Sequence, residues 1–494
     1  MVKLHPVKSL VPVSDGERPA ATRASAPNRF RSQSYDRSVF GSDDCTKETG
    51  KCSCCMCSTT PLVIIPSGEP ICSQYNITLR NVQEYLDGGL LKTLHEESFM
   101  IYRQIKCDGT CQIGIFAAIE VDDCTKRVVR PHEKVTCKTD ITVHNKPVQL
   151  RQSYMDPVML LYRESSDINA VVDRIVSQDD PFESIDGDGD TPGSHHIWTV
   201  KDPADIVAIQ RAFEGIDHLY IADGHHRAAA ACKESARLSS GNAVNVAQSS
   251  RFLTALIFPD SHLNVLSYNR CVSAWPPSLT QEDFLTQVSS CFSMEPLGTT
   301  PPPSSSTCLP AATETGRISP PRSIDESRSR TVSDTTTVSD RSSSTCGSYD
   351  SNGDTGGEVS RTQDPILPHE QFVMYMYVGT QWYRLDAPVP CLEELCVNPL
   401  KGVGCQILLD KVLWPILHTN DSAAGTHMIY VDGRAGSAGV SEQVQQGHAV
   451  VGFMVSAVPA HLIMQVADAD LILPAKATFF DPKPMSNLLL RLFR

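Results

Sequence analysis

The amino-acid sequence predicts an α+β fold. Three observations carry that expectation: apolar β-rich runs come in turn-linked pairs, amphipathic helical stretches separate them, and one short apolar strand passes through Asp-Gly into an alanine-rich helix. The first pair is FMIYRQIKCDGTCQIGIFAAIEV, Phe99 to Val121, whose runs meet at Asp108-Gly109, a dipeptide suited to the positive φ of tight turns. FLTALIFPDSHLNVLSYNRCV, from Phe252, and FVMYMYVGTQWYRL, from Phe372, repeat the design, so further hairpins are expected there. Between them, PADIVAIQRAFEGI sets Ile206, Ile209, Phe213 and Ile216 on one helical face.

At 494 residues, 41% hydrophobic and 20% charged, the chain can bury a sizeable core. Two stretches stand apart by composition: a Ser/Arg/Cys-rich one and a Ser/Thr/Pro-rich one containing TPPPSSSTC, neither with enough apolar surface to offset the entropy of ordering. The expected organisation is an N-terminal strand segment (1–13), a disordered insertion (14–60), an α+β core (61–296), a second disordered insertion (297–363) and a C-terminal α/β region completing the fold (364–494). Arg-x-Ser patterns near Arg328 offer phosphorylation or docking positions, or plain solvated filler.

A net charge of −14 argues against broad attraction to phosphate backbones, so nucleic acid is not an expected partner. No window approaches eighteen uncharged apolar residues, and His5, Pro6, Lys8 and Pro12 interrupt the opening before a signal-peptide core could form. A cytoplasmic protein without a membrane partner is expected, and its eighteen cysteines are read as reduced thiols. The cluster Cys45, Cys52, Cys54, Cys55 and Cys57 lacks the usual paired zinc spacing and reads as a flexible segment, with a thiophilic metal as the alternative. DGDGD at Asp186 imitates a calcium loop, but the twelfth position is Ile197 and not Glu.

The chemistry concentrates in YIADGHHRAAAA, Tyr220 to Ala231. Leu219 to Ala222 has the length of a buried strand, Asp223-Gly224 turns the chain, and Ala228 to Ala236 reads as a helix, a succession that aims unpaired helical N–H groups at an anion. Gly224 permits close backbone approach, His225 and His226 offer donors or a metal ligand, and Arg227 offers a planar fork matched to phosphate. Asp223 could bind Mg²⁺ or take a proton. A capping Asp beside two surface histidines would look the same in sequence. Zinc is the weaker rival, because no His-x-x-x-His spacing accompanies the pair.

These residues resemble the family known as domain of unknown function 1015. The match runs through VKLHPVKSLVPV, YRQ at Tyr102, VVRPHEKV at Val128, VMLLYR at Val158, ADGHHR, SYNR at Ser267, WYRL at Trp382, VDGRAG at Val431 and LPAKATFFDPKP at Leu473. More distantly, Asp-Gly-His-x-Arg is similar to the phosphate-binding element of the ParB and sulfiredoxin superfamily, which includes free serine kinases. That resemblance implies a ParB/sulfiredoxin-like core in which Asp223 to Arg227 cradle nucleotide phosphates with Mg²⁺, while an upstream glutamate serves as base on a serine hydroxyl.

Glu133 in RPHEK is the best local candidate for that base, with Asp223 and His225 as the other catalytic candidates. Gly224, His225, His226, Arg227, Lys476, Thr478 and Lys483 are candidates for the phosphates, with Arg103, His132, Asn269 and Arg270 as further motif residues. Ala477 departs from the Lys-Ser-Thr usual in the family, which leaves Thr478 as the local hydroxyl. The expectation is a phosphotransferase moving a phosphoryl group between ATP or ADP and a small hydroxy amino acid, serine or O-phosphoserine first. The alternative is a nucleotide-binding switch or adaptor without turnover.

Overall fold

The computed structural model describes residues 2–12, 91–134, 153–154, 157–186, 193–239, 251–302, 369–419, 427–485 and 490–492. All of them belong to one compact unit, Met1–Leu309 with Leu367–Arg494. The expected insertion 14–60 with its cysteine cluster, the second insertion beyond residue 302, and residues 187–190 of DGDGD lie outside the described residues.

The strands are, in chain order, β1 (Val7–Pro12), β2 (Leu91–Ile105), β3 (Cys111–Glu120), β4 (Val129–Arg130), β5 (Ser153–Tyr154), β6 (Val158–Tyr162), β7 (Glu183–Asp186), β8 (Ser194–Val200), β9 (Leu219–Asp223) and β10 (Phe252–Pro259). They continue as β11 (Val265–Leu266), β12 (Asn269–Val272), β13 (Ser293–Gly298), β14 (Val373–Val378), β15 (Gln381–Asp386), β16 (Met428–Val431), β17 (Val451–Val455), β18 (Phe479–Phe480) and β19 (Leu490–Leu492). The helices are α1 (Val121–Thr125), α2 (Ser166–Gln178), α3 (Pro203–Glu214), α4 (His225–Ser239), α5 (Gln281–Cys291), α6 (Leu392–Val397), α7 (Gly404–Leu408), α8 (Gly436–Gln445) and α9 (Ala460–Asp468).

Two large sheets organise the described residues, and β11 pairs with β18 in a third, two-stranded one. The larger runs β4-β9-β6-β10-β3-β2-β1-β19-β5, with β8 and β7 continuing from β2, and the smaller runs β13-β15-β14-β17-β12-β16. Mixed pairing and interspersed helices make this the α+β fold that the sequence predicts. The hairpin at Asp108-Gly109 forms as expected: Gly109 takes φ +84°, Asp108 accepts from the Thr110 N–H at 2.9 Å, and Ile105 faces Cys111. The β14–β15 hairpin forms as well, turning at Gly379 with φ +61°.

The run from Phe252 to Val272 is not a hairpin. Its first half, β10, lies between β3 and β6 in the large sheet, while β12 crosses to the small sheet between β16 and β17. Both halves are buried almost throughout, and burial on both faces does not tell a strand which partner it will take. The end of β13 also carries Leu297 and Gly298, so ordered chain runs past the expected start of the second insertion.

Alternation along β2 and β3 splits the core into two layers. Met100, Tyr102, Phe116 and Ala118 join the core shared with the small sheet and α9, whereas Phe99, Ile101, Ile115 and Ala117 pack under α2, α3 and α4. In α3, Ile209 and Phe213 are buried and Ile206 packs beside them, so the predicted face is the one used; Asp202 caps the helix by accepting from the Ala204 N–H. Among the described residues, no helix is long and apolar enough to cross a membrane.

Candidate functional site

The site exists because β4 and β9 are parallel neighbours, with Val129 opposite Leu219 and Arg130 opposite Tyr220. Chain leaving their carboxyl ends, Pro131-His132-Glu133 from one and Gly224-His225 from the other, therefore emerges at the same edge, where open sheets commonly bind ligands. β6 runs antiparallel to β9 and brings Met159 opposite Asp223, which places the Pro157 carbonyl beside the turn.

Gly224 makes the turn in a single residue, at φ +96°. A Cβ there would sit 2.9 Å from Arg227 Nε and 3.1 Å from its Cζ, so the guanidinium folds back over a position that only glycine leaves open. Because one residue suffices, α4 starts at His225, three residues earlier than the sequence suggests, and Ala228 N–H donates to the Gly224 carbonyl at 3.0 Å. His225, His226 and Arg227 thus occupy the first helical turn.

Asp223 is gripped from two sides. Lys483 Nζ donates to one carboxylate oxygen at 2.9 Å and Arg227 Nη2 to the other at 2.8 Å, while Arg227 Nη1 donates to the Pro157 carbonyl at 2.9 Å. Burial would push this carboxyl up, but Lys483 and Arg227 outweigh it and hold it well below the usual carboxylate range. Two cations on one carboxylate leave a single net positive charge at the start of α4.

Beside this trio lies a second cluster. The His132 N–H donates to His225 Nε2 at 3.4 Å, which leaves Nδ1 as the protonated nitrogen of a neutral ring, and Nδ1 lies 3.8 Å from Glu133 Oε2. Burial pushes His225 down to about 4, with Asp223 acting the other way, and pushes the fully buried His132 down to about 3, with His225 adding to the effect. The two rings meet edge to face, and His132 Nε2 hydrogen bonds Thr478 Oγ1 at 3.1 Å. The Glu133 carboxylate keeps 32% exposure and faces solvent.

Of the sequence-derived candidates, the structure therefore assembles Glu133, His132, Asp223, Gly224, His225, Arg227, Thr478 and Lys483, with His226 on the same helical turn. Lys476, at φ +55°, stands over the Tyr268 ring at 5.3 Å. Arg270 is fully buried and donates to the carbonyls of Tyr268 and Ala475, which fixes the turn that carries Lys476. Asn269 is buried in β12, and Arg103 stacks on Trp198 at 4.7 Å. Among the described residues, no hydrogen bond or ion pair joins the side chains of Arg103, Asn269 or Lys476 to the Asp223 cluster.

Two supporting sets lie beyond the residues that the sequence motifs single out for the site. Tyr102 and Gln112 hold the segment that aims Lys483: the Met485 N–H donates to Tyr102 Oη at 3.2 Å and Gln112 Nε2 to the Pro482 carbonyl at 3.1 Å, with Lys106 paired to Asp481 at 3.0 Å. Asp468, at the end of α9, accepts from Arg130, from Arg163 at 2.6 Å and from Tyr220 Oη at 2.8 Å, tying β4, β6 and β9 together. The Tyr-Arg-Gln motif held a signal for the first set, since alternation puts Tyr102 and Gln104 on the face opposite Arg103.

Fold and site together define an α+β protein with a strand–glycine–helix element at which Lys483, Arg227 and Asp223 converge. The chain belongs to the family described as Protein of unknown function (DUF1015), whose model matches residues 60–403. No curated protein sequence matches it. Among solved structures it is similar to a conserved hypothetical protein from Pyrococcus furiosus, at 11% identity over 74% of this chain and 90% of that one, TM-score 0.28. It is also similar to a free serine kinase in complex with AMP, at 10% identity over 74% and 86%, TM-score 0.28, and to a free serine kinase variant in complex with ADP, at 11% identity over 74% and 87%, TM-score 0.27.

Proposed function

We propose that this protein is a nucleotide-dependent phosphotransferase acting on a small hydroxy amino acid, serine or O-phosphoserine first, on a ParB/sulfiredoxin-like core in the cytoplasm. The observation that carries the reading is the convergence of Lys483 and Arg227 at the first turn of α4, with Glu133 and a neutral His225 alongside. Net positive charge and unpaired helical N–H groups attract phosphate, and Asp223 holds the two cations side by side.

In this reading the Glu133 carboxylate takes the proton of the acceptor hydroxyl as the phosphoryl group arrives, and in the reverse direction returns it. His225 places Nδ1 3.8 Å from Glu133 and orients it, and the neutral ring that burial favours leaves Nε2 able to accept from the His132 N–H. The donor set does not fit a metal held by the protein alone: both Asp223 oxygens are bonded to cations, and no group of three metal-binding His, Cys, Asp or Glu side chains occurs among the described residues. Mg²⁺ would come with the nucleotide phosphates, and no step here depends on it.

The test is phosphorus NMR of the protein with Mg²⁺, ATP or ADP, and a panel of hydroxy amino acids and their phosphates. A new phosphomonoester signal supports transfer. Nucleotide binding with no transfer across the panel would replace the enzyme by a switch or adaptor.

A further inference from the structure

A second chemistry lies on the inner side of α4. Ala228 and Ala231 present only methyl groups to the core that also buries Val121 of α1, and α1 packs against α4. Cys124 of α1 and Cys232 of α4 meet at that contact, thiol to thiol, both half-buried at its rim. Cys232 follows His225 by two helical turns, and α1 continues directly from β3.

We propose that Cys124 and Cys232 form a reversible redox site, which takes a disulfide from a small-molecule disulfide such as oxidised glutathione and ties the motif helix to the end of β3. The inference does not rest on the phosphotransferase reading. The two thiols are unequal. The hydrogen bond donated by Cys124 lowers the Cys232 thiol, whereas the same bond and burial raise Cys124.

That asymmetry orders the reaction. The Cys232 thiolate attacks one sulfur of the oxidised glutathione, its S–S bond breaks, and one glutathione leaves as thiolate. Cys124 then loses its proton to water and attacks the Cys232 sulfur, forming the protein disulfide and releasing the second glutathione. Two protein thiols are oxidised and one disulfide is reduced to two thiols. Closure within one molecule makes the linked form exceed the Cys232–glutathione adduct by about tenfold or more.

The experiment treats the folded full-length chain with oxidised glutathione, alkylates remaining thiols and maps non-reduced peptides by mass spectrometry. The expected result is a peptide pair joined through Cys124 and Cys232, two hydrogens lighter than the reduced pair and separated by dithiothreitol. In Cys124→Ser the glutathione adduct should persist on Cys232, and in Cys232→Ser the thiol of Cys124 should remain alkylatable. The proposal is overturned if wild type keeps the adduct on Cys232 as fully as Cys124→Ser does, or if both cysteines stay alkylatable while exposed Cys107 and Cys391 are oxidised.

Discussion

Asp223→Asn keeps the shape of the carboxylate and removes its charge, and the structure sets the size of each consequence. Lys483 and Arg227, at 2.9 and 2.8 Å, would be left facing each other without the anion between them. The site is partly open to water, so the loss of native stability should be roughly 2 kcal/mol, below the 3–5 kcal/mol typical of breaking a fully buried pair. The site's net charge rises from about +1 to +2, and one added charge some ~7 Å from a phosphate, at an effective dielectric of about 20–40, favours it by about 1–2 kcal/mol, or roughly tenfold in affinity. Calorimetric titration of ADP without Mg²⁺ should therefore show tighter binding to a less stable protein. The stability gap depends on pH. The native carboxyl is depressed, so its contribution is fully present above the unfolded value of about 4 and is lost as pH falls below that. Melting curves of the two proteins should converge in acid. Equal stability at pH 7 together with weaker ADP binding would refute the reasoning.

Other perturbations separate the remaining roles. Glu133→Gln should slow turnover by about 10²-fold or more while ADP affinity changes little, measured by steady-state assay and calorimetry. Lys483→Met should weaken ADP binding and raise the Asp223 carboxyl toward the normal range, which carbon NMR of the labelled carboxylate would follow. Burial depresses His225 to about 4 and His132 to about 3, so their neutral forms contribute stability that is complete above about pH 6.5 and is lost as pH falls toward those values. Each contributes a slope of up to about 1.4 kcal/mol per pH unit in that window. Calorimetric melts should show a shallower acid decline in His225→Gln. Gln112→Ala should lower ADP affinity through the loosened Pro482 segment, with hydrogen exchange around Lys483 speeding up.

How much of this was legible in the sequence follows from the range of each signal. Local signals held: the Asp108-Gly109 turn, the apolar face with Ile209 and Phe213, and the strand–glycine–helix around Asp223 are set by residues within a few positions of one another. Pairing over distance was not legible, and Phe252 to Val272 shows why: each half is buried almost throughout, so nothing local says that they part into two sheets. At the site, Glu133 and Lys483 were visible as motif residues, but their approach to His225 and Asp223 depends on β4 lying parallel to β9 and on the clamp around Pro482. The Pro157 carbonyl left no signal, because any residue supplies a carbonyl. Arg103 was singled out as part of the Tyr-Arg-Gln motif, whereas the alternation of β2 stacks it on Trp198 and turns its neighbour Tyr102 toward the Lys483 segment.

The most direct test of the central claim follows phosphorus NMR of wild type and Glu133→Gln side by side, with ATP or ADP, Mg²⁺ and L-serine or O-phosphoserine. The account predicts phosphoryl transfer between nucleotide and serine in wild type, reduced by about 10²-fold or more in Glu133→Gln. Bound nucleotide with no transfer in wild type, or equal transfer in both proteins, would contradict it.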